Sequence, residues 1–271
     1  MPELPEVETT RRGIAPLLTG RTVARVVTRN AALRWRVPRE LGQELVGGVI
    51  CGVRRRGKYL LIEATGCNVL VHLGMSGSLR VAPASSAPSP HDHIDIVLED
   101  GSCLRYCDPR RFGAFLLAGS EPDAHWLLRD LGPEPLGAAF TGEYLYRRSR
   151  GRRVAVKSYL MNARVVAGIG NIYASEALFE AGIHPMRAAG RVGRERYQRL
   201  AESIKSTLRR AIAAGGTSLR DFVGADGRPG YFSLSLRVYG REGEPCPVCR
   251  APVARRSIGQ RSSFLCPRCQ R

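Results

Sequence analysis

Four cysteines near the C-terminus constrain this chain more tightly than any other feature. Cys246-x-x-Cys249 and Cys266-x-x-Cys269 are separated by sixteen residues, the spacing of a tetrahedral four-thiolate zinc site. The segment is too small to build a core of its own, and the metal replaces that core. A redox pair would not need two matched knuckles. Sulfur fills all four positions and leaves none open for catalysis, so one structural Zn2+ is expected. Arg237 to Arg271 holds eight arginines and two acidic residues, so the finger is basic and suits a phosphate backbone.

The same bias runs through all 271 residues. Forty-two basic residues against 24 acidic ones give a net charge of +18, which implies an anionic partner, nucleic acid first. Only Lys58, Lys157 and Lys205 are lysines; the arginine excess fits bidentate phosphate contacts and equally a biased genome. No signal peptide, targeting motif or apolar run of membrane length is visible, so a cytoplasmic protein is expected, with no membrane partner. In that compartment Cys51, Cys67, Cys103 and Cys107 are expected to pack as small hydrophobes.

Arg21 to Leu117 reads as antiparallel β structure. Thr22 to Val27, Tyr59 to Ile62, Asn68 to His72, His93 to Leu98 and Ser102 to Tyr106 are β-branched or aliphatic runs between turn residues. Val81 to Pro90, rich in Ala, Ser and Pro, reads as a flexible loop. His91-Asp92-His93 lacks further metal ligands nearby and reads as a loop-to-strand junction. From about Asp123 the period becomes helical, with Gly132-Pro133-Glu134-Pro135-Leu136 as the linker. Tyr144 to Ser175 carries seven basic residues and no acid. Gly168-Ile169-Gly170-Asn171 precedes a helix from Ile172 to Glu180; such a glycine turn either admits a phosphate to the helix N-terminus or simply joins two packed helices. Tyr197, Leu200, Ala201, Ile204, Leu208, Ala211 and Ile212 mark one amphipathic helix ending at Gly215-Gly216. Thr217 to Tyr231 reads as a loop long enough to serve a substrate.

The N-terminus, Met1-Pro2-Glu3-Leu4-Pro5-Glu6, admits two readings. Removal of Met1 would leave Pro2 with a free secondary amine; α-amino groups have a pKa of roughly 7.7 to 8.0, so it could attack an electrophilic carbon near neutral pH. Glu3 and Glu6 would supply acid and base. Alternatively, Leu4, Val7 and Ile14 fall near helical spacing, Pro5 suits a first turn, and the acids cap a helix.

Together these motifs resemble those of the bacterial formamidopyrimidine-DNA glycosylases, over essentially the whole chain. Met1-Pro2-Glu3-Leu4-Pro5-Glu6-Val7-Glu8-Thr9 is similar to that family's N-terminus. His72-Leu73-Gly74-Met75-Ser76-Gly77 and Asp108-Pro109-Arg110-Arg111-Phe112-Gly113 resemble its DNA-probing loops. Gly168 to Glu176 resembles its helix-two-turn-helix motif, and the four-cysteine finger completes the set. The chain departs from the pattern at Asn162-Ala163-Arg164 and in the Ser-Pro-rich segment before His91.

The resemblance implies an α+β fold: an N-terminal antiparallel β-sandwich with an N-terminal catalytic helix over 1–132, a helical domain with the helix-two-turn-helix motif and a lesion loop over 133–236, and a zinc finger over 237–271. It implies a monomer that acts on double-stranded DNA containing oxidised bases or abasic sites, and hence sits at the nucleoid. Pro2 would attack the sugar C1′, Glu3 would protonate the ring oxygen, and Glu6 joins them as the third catalytic residue. Excision of an oxidised purine such as 8-oxoguanine would leave an iminium, followed by strand cleavage through β- and δ-elimination. Lys58 and Arg261 are the implied proton donors; charge alone makes both phosphate contacts. A base must leave the stack to be reached, and Met75, Arg110 and Phe112 resemble the residues that fill the gap. His91, Arg110 and Arg152 match positions used on DNA, and His72 and Asn171 match phosphate-gripping ones. Two alternatives stand beside this reading: an endonuclease VIII-type enzyme for oxidised pyrimidines, and a non-catalytic nucleic-acid-binding zinc protein.

Overall fold

Strand pairing in the first half follows the aliphatic runs. The computed structural model describes residues 2–217 and 235–271, in two units with separate interiors. The first unit comprises 2–129 and 214–217. It opens with α1 (Leu4–Leu18), followed by β1 (Val23–Thr28), α2 (Leu41–Leu45), β2 (Ile50–Arg56), β3 (Tyr59–Ala64), β4 (Cys67–His72), β5 (Ser78–Pro83), β6 (Asp92–Leu98), β7 (Ser102–Cys107) and β8 (Ala114–Leu117). The strands form two antiparallel four-stranded sheets, ordered β1-β6-β7-β5 and β2-β3-β4-β8. Val7, Ile14 and Leu18 of α1 join one core with Leu60, Ile62 and Val71 of the second sheet and Ile94, Ile96 and Leu104 of the first. Each such side chain contributes about 1.5–3 kcal/mol on burial, and α1 is thereby seated against both sheets.

The second unit, 130–213 with 235–271, contains α3 (Gly142–Ser149), α4 (Val156–Leu160), α5 (Asn171–Glu180), α6 (Arg194–Ala213), and the finger hairpin β9 (Ala254–Ile258) and β10 (Arg261–Leu265). All seven stripe residues of α6 are buried, except that Ile212 reaches 9% exposure, and the helix rests on α3 and α5. Asn162 makes the turn after α4, its Oδ1 accepting the Arg164 N–H at 3.0 Å, so the departure from the family pattern there supplies its own turn chemistry.

Three expectations need correction. The chain from Val81 is not a free loop: β5 continues to Pro83 at the sheet edge, where a missing N–H is tolerated. Beyond it, the Ser86 and Ala87 carbonyls accept from Arg105, and the Ser89 N–H donates to Asp92. Helix does not resume at Asp123. Only a 3-10 turn, Pro122–Ala124, forms before α3; prolines 133 and 135 have no N–H for a helix, and the Gly132 N–H goes to the Ala163 carbonyl. Cys67 and Cys103 are buried as expected, but Cys51 is exposed and Cys107 half-buried. The 218–231 portion of the long loop lies outside the described residues.

A buried charge network explains why the segment after β5 is held. Arg105, 1% exposed, grips Asp95 with two hydrogen bonds of 2.9 Å. Arg29 also reaches Asp95, and Arg80 donates to Asp92 at 2.6 Å. Burial alone would raise both carboxyl pKa values, but hydrogen bonds from Arg80 to Asp92, and from Arg29 and Arg105 to Asp95, hold them below the ordinary range. Arg105→Ala, which strips two hydrogen bonds from the buried Asp95 carboxylate and leaves it Arg29, is expected to cost roughly 1–3 kcal/mol. The shift of the urea unfolding midpoint measures it.

Candidate active site and nucleic-acid interface

The cap expected at the N-terminus forms, and it brings together the residues of the alternative reading. Glu3 is the N-cap of α1, and Glu6 closes a capping box with it, accepting the Glu3 N–H at 2.8 Å through Oε2. The other oxygen of Glu6 accepts the Thr217 N–H at 2.8 Å. Gly216 (φ +84°) makes that approach possible, since a Cβ there would stand 3.1 Å from Glu6 Oε1. Pro2, Glu3 and Glu6 are all buried, gathered at the positive end of the helix dipole. One turn on, Glu8 binds Arg11, Arg12 and Arg55. Burial would raise its pKa, but the bonds from Arg11 and Arg12 bring it down to about 2, so the helix keeps a fixed negative charge. Lys58 sits half-buried in the β2–β3 turn after Gly57 (φ +58°).

The two predicted probing loops, 73–77 and 108–113, are fastened to each other. Asp108 is fully buried and its carboxylate accepts from Ser76 Oγ (2.8 Å), Tyr106 Oη (3.1 Å) and the Gly113 N–H (2.8 Å). Ser76 Oγ in turn accepts the Arg110 N–H at 3.2 Å. Gly74 (φ +62°) and Gly113 let the backbones touch: a Cβ on Gly74 would stand 2.5 Å from the Gly113 nitrogen. What projects from this base is Met75, half-buried, with Arg110 and Phe112, both exposed, the guanidinium 5.0 Å from the ring centre. Phe112 is 46% exposed, so it is not a core residue. The three line a cavity of about 660 Å³ that also takes in His72, Arg34 and Arg111.

His72 and His91 stand beside these loops. The His72 Nδ1 accepts the Gly74 N–H at 3.0 Å. Burial, then the neighbouring charges of Lys58 and Arg34, lowers its pKa to about 4, so at neutral pH His72 offers a neutral donor through Nε2. His91 is exposed, and its carbonyl accepts the Asp108 N–H at 3.0 Å.

In the second unit Asn171 begins α5 directly after its N-cap, Gly170. Its Nδ2 donates to Ser262 O (3.0 Å) and to Tyr239 Oη (3.2 Å), while its Oδ1 is buried without a hydrogen-bond partner among the described residues. Arg261 stands exposed at the start of β10, and Arg152 is exposed between α3 and α4. Lys157, 1% exposed, is a structural cation here: its Nζ donates to Ser263 Oγ at 2.7 Å. The finger is fixed to α5 by Glu176, which is 3% exposed and accepts the N–H groups of Arg237, Val238 and Tyr239 at 2.8, 3.0 and 2.8 Å. The four cysteine Sγ atoms lie within 4.8 Å of one another. Pairs at 3.4 and 3.9 Å bracket the roughly 3.8 Å edge of a tetrahedron with Zn–S bonds near 2.3 Å. The donor set and its closure fit one structural Zn2+.

Three family models divide the sequence: the formamidopyrimidine-DNA glycosylase N-terminal domain over 1–115, that enzyme's H2TH domain over 131–223, and a zinc finger found in FPG and IleRS over 243–271. The chain belongs to the formamidopyrimidine-DNA glycosylase family. Proteins of that name from Syntrophotalea carbinolica and Alkalilimnicola ehrlichii are 59% and 57% identical, each covering all of both chains. The solved structure of MutM (Fpg) from Thermus thermophilus matches with a TM-score of 0.89 at 41% identity, over 99% of this chain and 98% of that one. A Lactococcus lactis Fpg crystallised with an abasic site containing DNA matches over the full length of both, with a TM-score of 0.92 at 32% identity.

Sequence reasoning overlooked Asp108 as a clamp, Glu176 as the finger's anchor and Thr217 as a donor to Glu6. Acids that bind backbone N–H groups carry no spacing signal, although Asp108 and Glu176 both lie inside recognised motifs. Asp108→Asn removes a charged acceptor from three donors, a loss of roughly 1–3 kcal/mol in loop order. Excision of a base from duplex DNA is expected to fall about ten- to a hundredfold, while nicking at a preformed abasic site, which needs no base displaced, falls far less. Single-turnover assays on the two substrates check this. Metal analysis is expected to find one zinc per chain, and its removal to melt the finger's circular dichroism signal.

Proposed function

We propose that the protein excises oxidised purines from duplex DNA and then nicks the resulting abasic site, with Pro2 as the nucleophile. The observation that carries this is the gathering of Pro2, Glu3 and Glu6 in one buried capping box. DNA glycosylase activity with associated lyase activity goes with the family; Fpg of Lactococcus lactis has been crystallised on Fapy-dG containing DNA and on abasic DNA.

In the proposed reaction, removal of Met1 frees the Pro2 amine, and the α1 dipole disfavours its protonation. The amine attacks C1′ while Glu3 protonates the sugar ring oxygen. The C1′–base bond breaks, the base departs with a proton, and an iminium joins Pro2 to the opened sugar. Glu6 holds the Glu3 backbone and residue 217, so the acid is aimed by a group that does not itself react. The iminium acidifies the C2′ protons, and β- then δ-elimination expels the two phosphates, with Lys58 and Arg261 as proton donors. Met75, Arg110 and Phe112 fill the gap left by the flipped nucleotide. His72, His91, Arg152 and Asn171 hold the DNA, His72 as a neutral donor. The missing Asn171 Oδ1 partner supports a further polar contact there. Among the described residues no helix is long and apolar enough to cross a membrane, and we assign the enzyme to the cytoplasm, at the nucleoid.

Borohydride reduction of the enzyme on duplex DNA containing 8-oxoguanine is expected to trap a covalent adduct that Pro2→Gly does not form. Equal trapping by the variant, or Met1 retained on active protein, would defeat the mechanism. Turnover of 8-oxoguanine above that of thymine glycol separates this reading from the endonuclease VIII type.

A further inference from the structure

A cationic cavity at the far end of α5 has no place in the reaction above. It measures about 560 Å³ and is lined by His184, Met186, Arg187, Ala188, Arg191 and Arg271. Among the described residues neither Arg187, Arg191 nor Arg271 forms an ion pair, nor does the neighbouring Arg256, although many arginines elsewhere in the chain do. Their charges are felt locally: burial lowers the His184 pKa, and Arg187 and Arg256 lower it further; Arg196 is lowered by burial and then by Arg187 and Arg199. His184 Nδ1 accepts the Met186 N–H at 3.3 Å, which leaves Nε2 as a neutral donor. The carbonyls of Ala177, Leu178 and Phe179 at the end of α5 are already taken by the N–H groups of Ala181, Ile183 and Gly182, and Arg196 donates to the Gly182 and Arg271 carbonyls just beyond the helix. Guanidinium groups collected in a concave site whose lining holds no acidic side chain among the described residues call for an anion.

Continuity identifies the anion. The Gly190 N–H, next to Arg191, donates to the Arg152 carbonyl at 2.8 Å, and Ala188 bridges to Ala155, so the cavity adjoins a residue assigned to DNA. Ten residues of α5 separate it from Asn171, about 15 Å at 1.5 Å per residue. We propose that this cavity binds a backbone phosphate of the flanking duplex, distant from the lesion, and so extends the footprint on one side.

This rests on the DNA-binding reading and is tested separately from catalysis. Binding is measured to duplexes of about 25 base pairs bearing a stable abasic analogue at the centre or about four pairs from either end. The triple variant Arg187→Ala, Arg191→Ala, Arg271→Ala is expected to lose about tenfold or more on the centred duplex and on one off-centre duplex, and little on the other. Its salt slope falls by about 0.9 per lost phosphate contact, and single-turnover excision at saturating enzyme is unchanged, which verifies folding. The single variant Arg191→Ala, exposed on the surface, is expected to show a smaller loss with the same end dependence. Equal losses on all three duplexes, or none, would overturn the proposal. So would a pocket filled by free phosphate instead, seen as stabilisation of the wild type by pyrophosphate, absent in the variant, with duplex binding unaltered. Failure of the wild type to bind any of the duplexes would refute the DNA-binding reading itself.

Discussion

A carboxylate taken out of water must be given donors, and this protein meets that demand with the backbone of its loops. Glu6 takes N–H groups from residues 3 and 217, Asp108 from residue 113, and Glu176 from residues 237, 238 and 239. Each acid thus turns its own desolvation cost into the definition of a segment that would otherwise have no regular structure. The N-terminus, the 73–77 and 108–113 loops and the approach to the zinc finger are all set in this way. The side chains proposed to act on a substrate project from backbones whose position is fixed from beneath.

The arginine excess divides by the same logic. Where guanidinium groups are buried they are matched, as in the Arg105–Asp95 pair, and they stabilise only in that company. Where they are exposed, as at Arg110, Arg152 and Arg261, they face outward, Arg110 over the Phe112 ring. Among the described residues the buried charged side chains are the acids Glu3, Glu6, Glu8, Asp92, Asp95, Asp108 and Glu176 against the bases Arg105 and Lys157, so the positive surplus behind the net charge of +18 lies on outward-facing sites.

Much of this was legible in the sequence. Aliphatic alternation located β3, β4, β6 and β7, the apolar stripe gave α6, and cysteine spacing gave the metal site. Strands β2, with its Arg54-Arg55-Arg56 run, and β5, with Pro83, were not recognised, because edge or polar strands take their identity from a partner rather than from their own residues. Likewise the Ala-Ser-Pro composition after Val81 says nothing of the Arg105 side chain that holds it. At the N-terminus the two local readings were equally grounded in chemistry. A helix cap and a reactive centre use the same residues, and only the seat of α1 against both sheets explains why this cap is buried.

The glycine contact between the two probing loops has a mechanical consequence. With the Gly74 and Gly113 backbones in direct touch and Asp108 bolted across them, the tips cannot open relative to one another without breaking a buried charge's hydrogen bonds. Met75, Arg110 and Phe112 therefore behave as the teeth of a single stiff comb rather than as three independent fingers. Their ordering entropy is lost once, when the chain folds, and not again at each base pair tested. In the proposed reaction, inspection of undamaged DNA is then governed by how readily the duplex yields to a rigid tool, and a weakened base step is felt as the one that gives way.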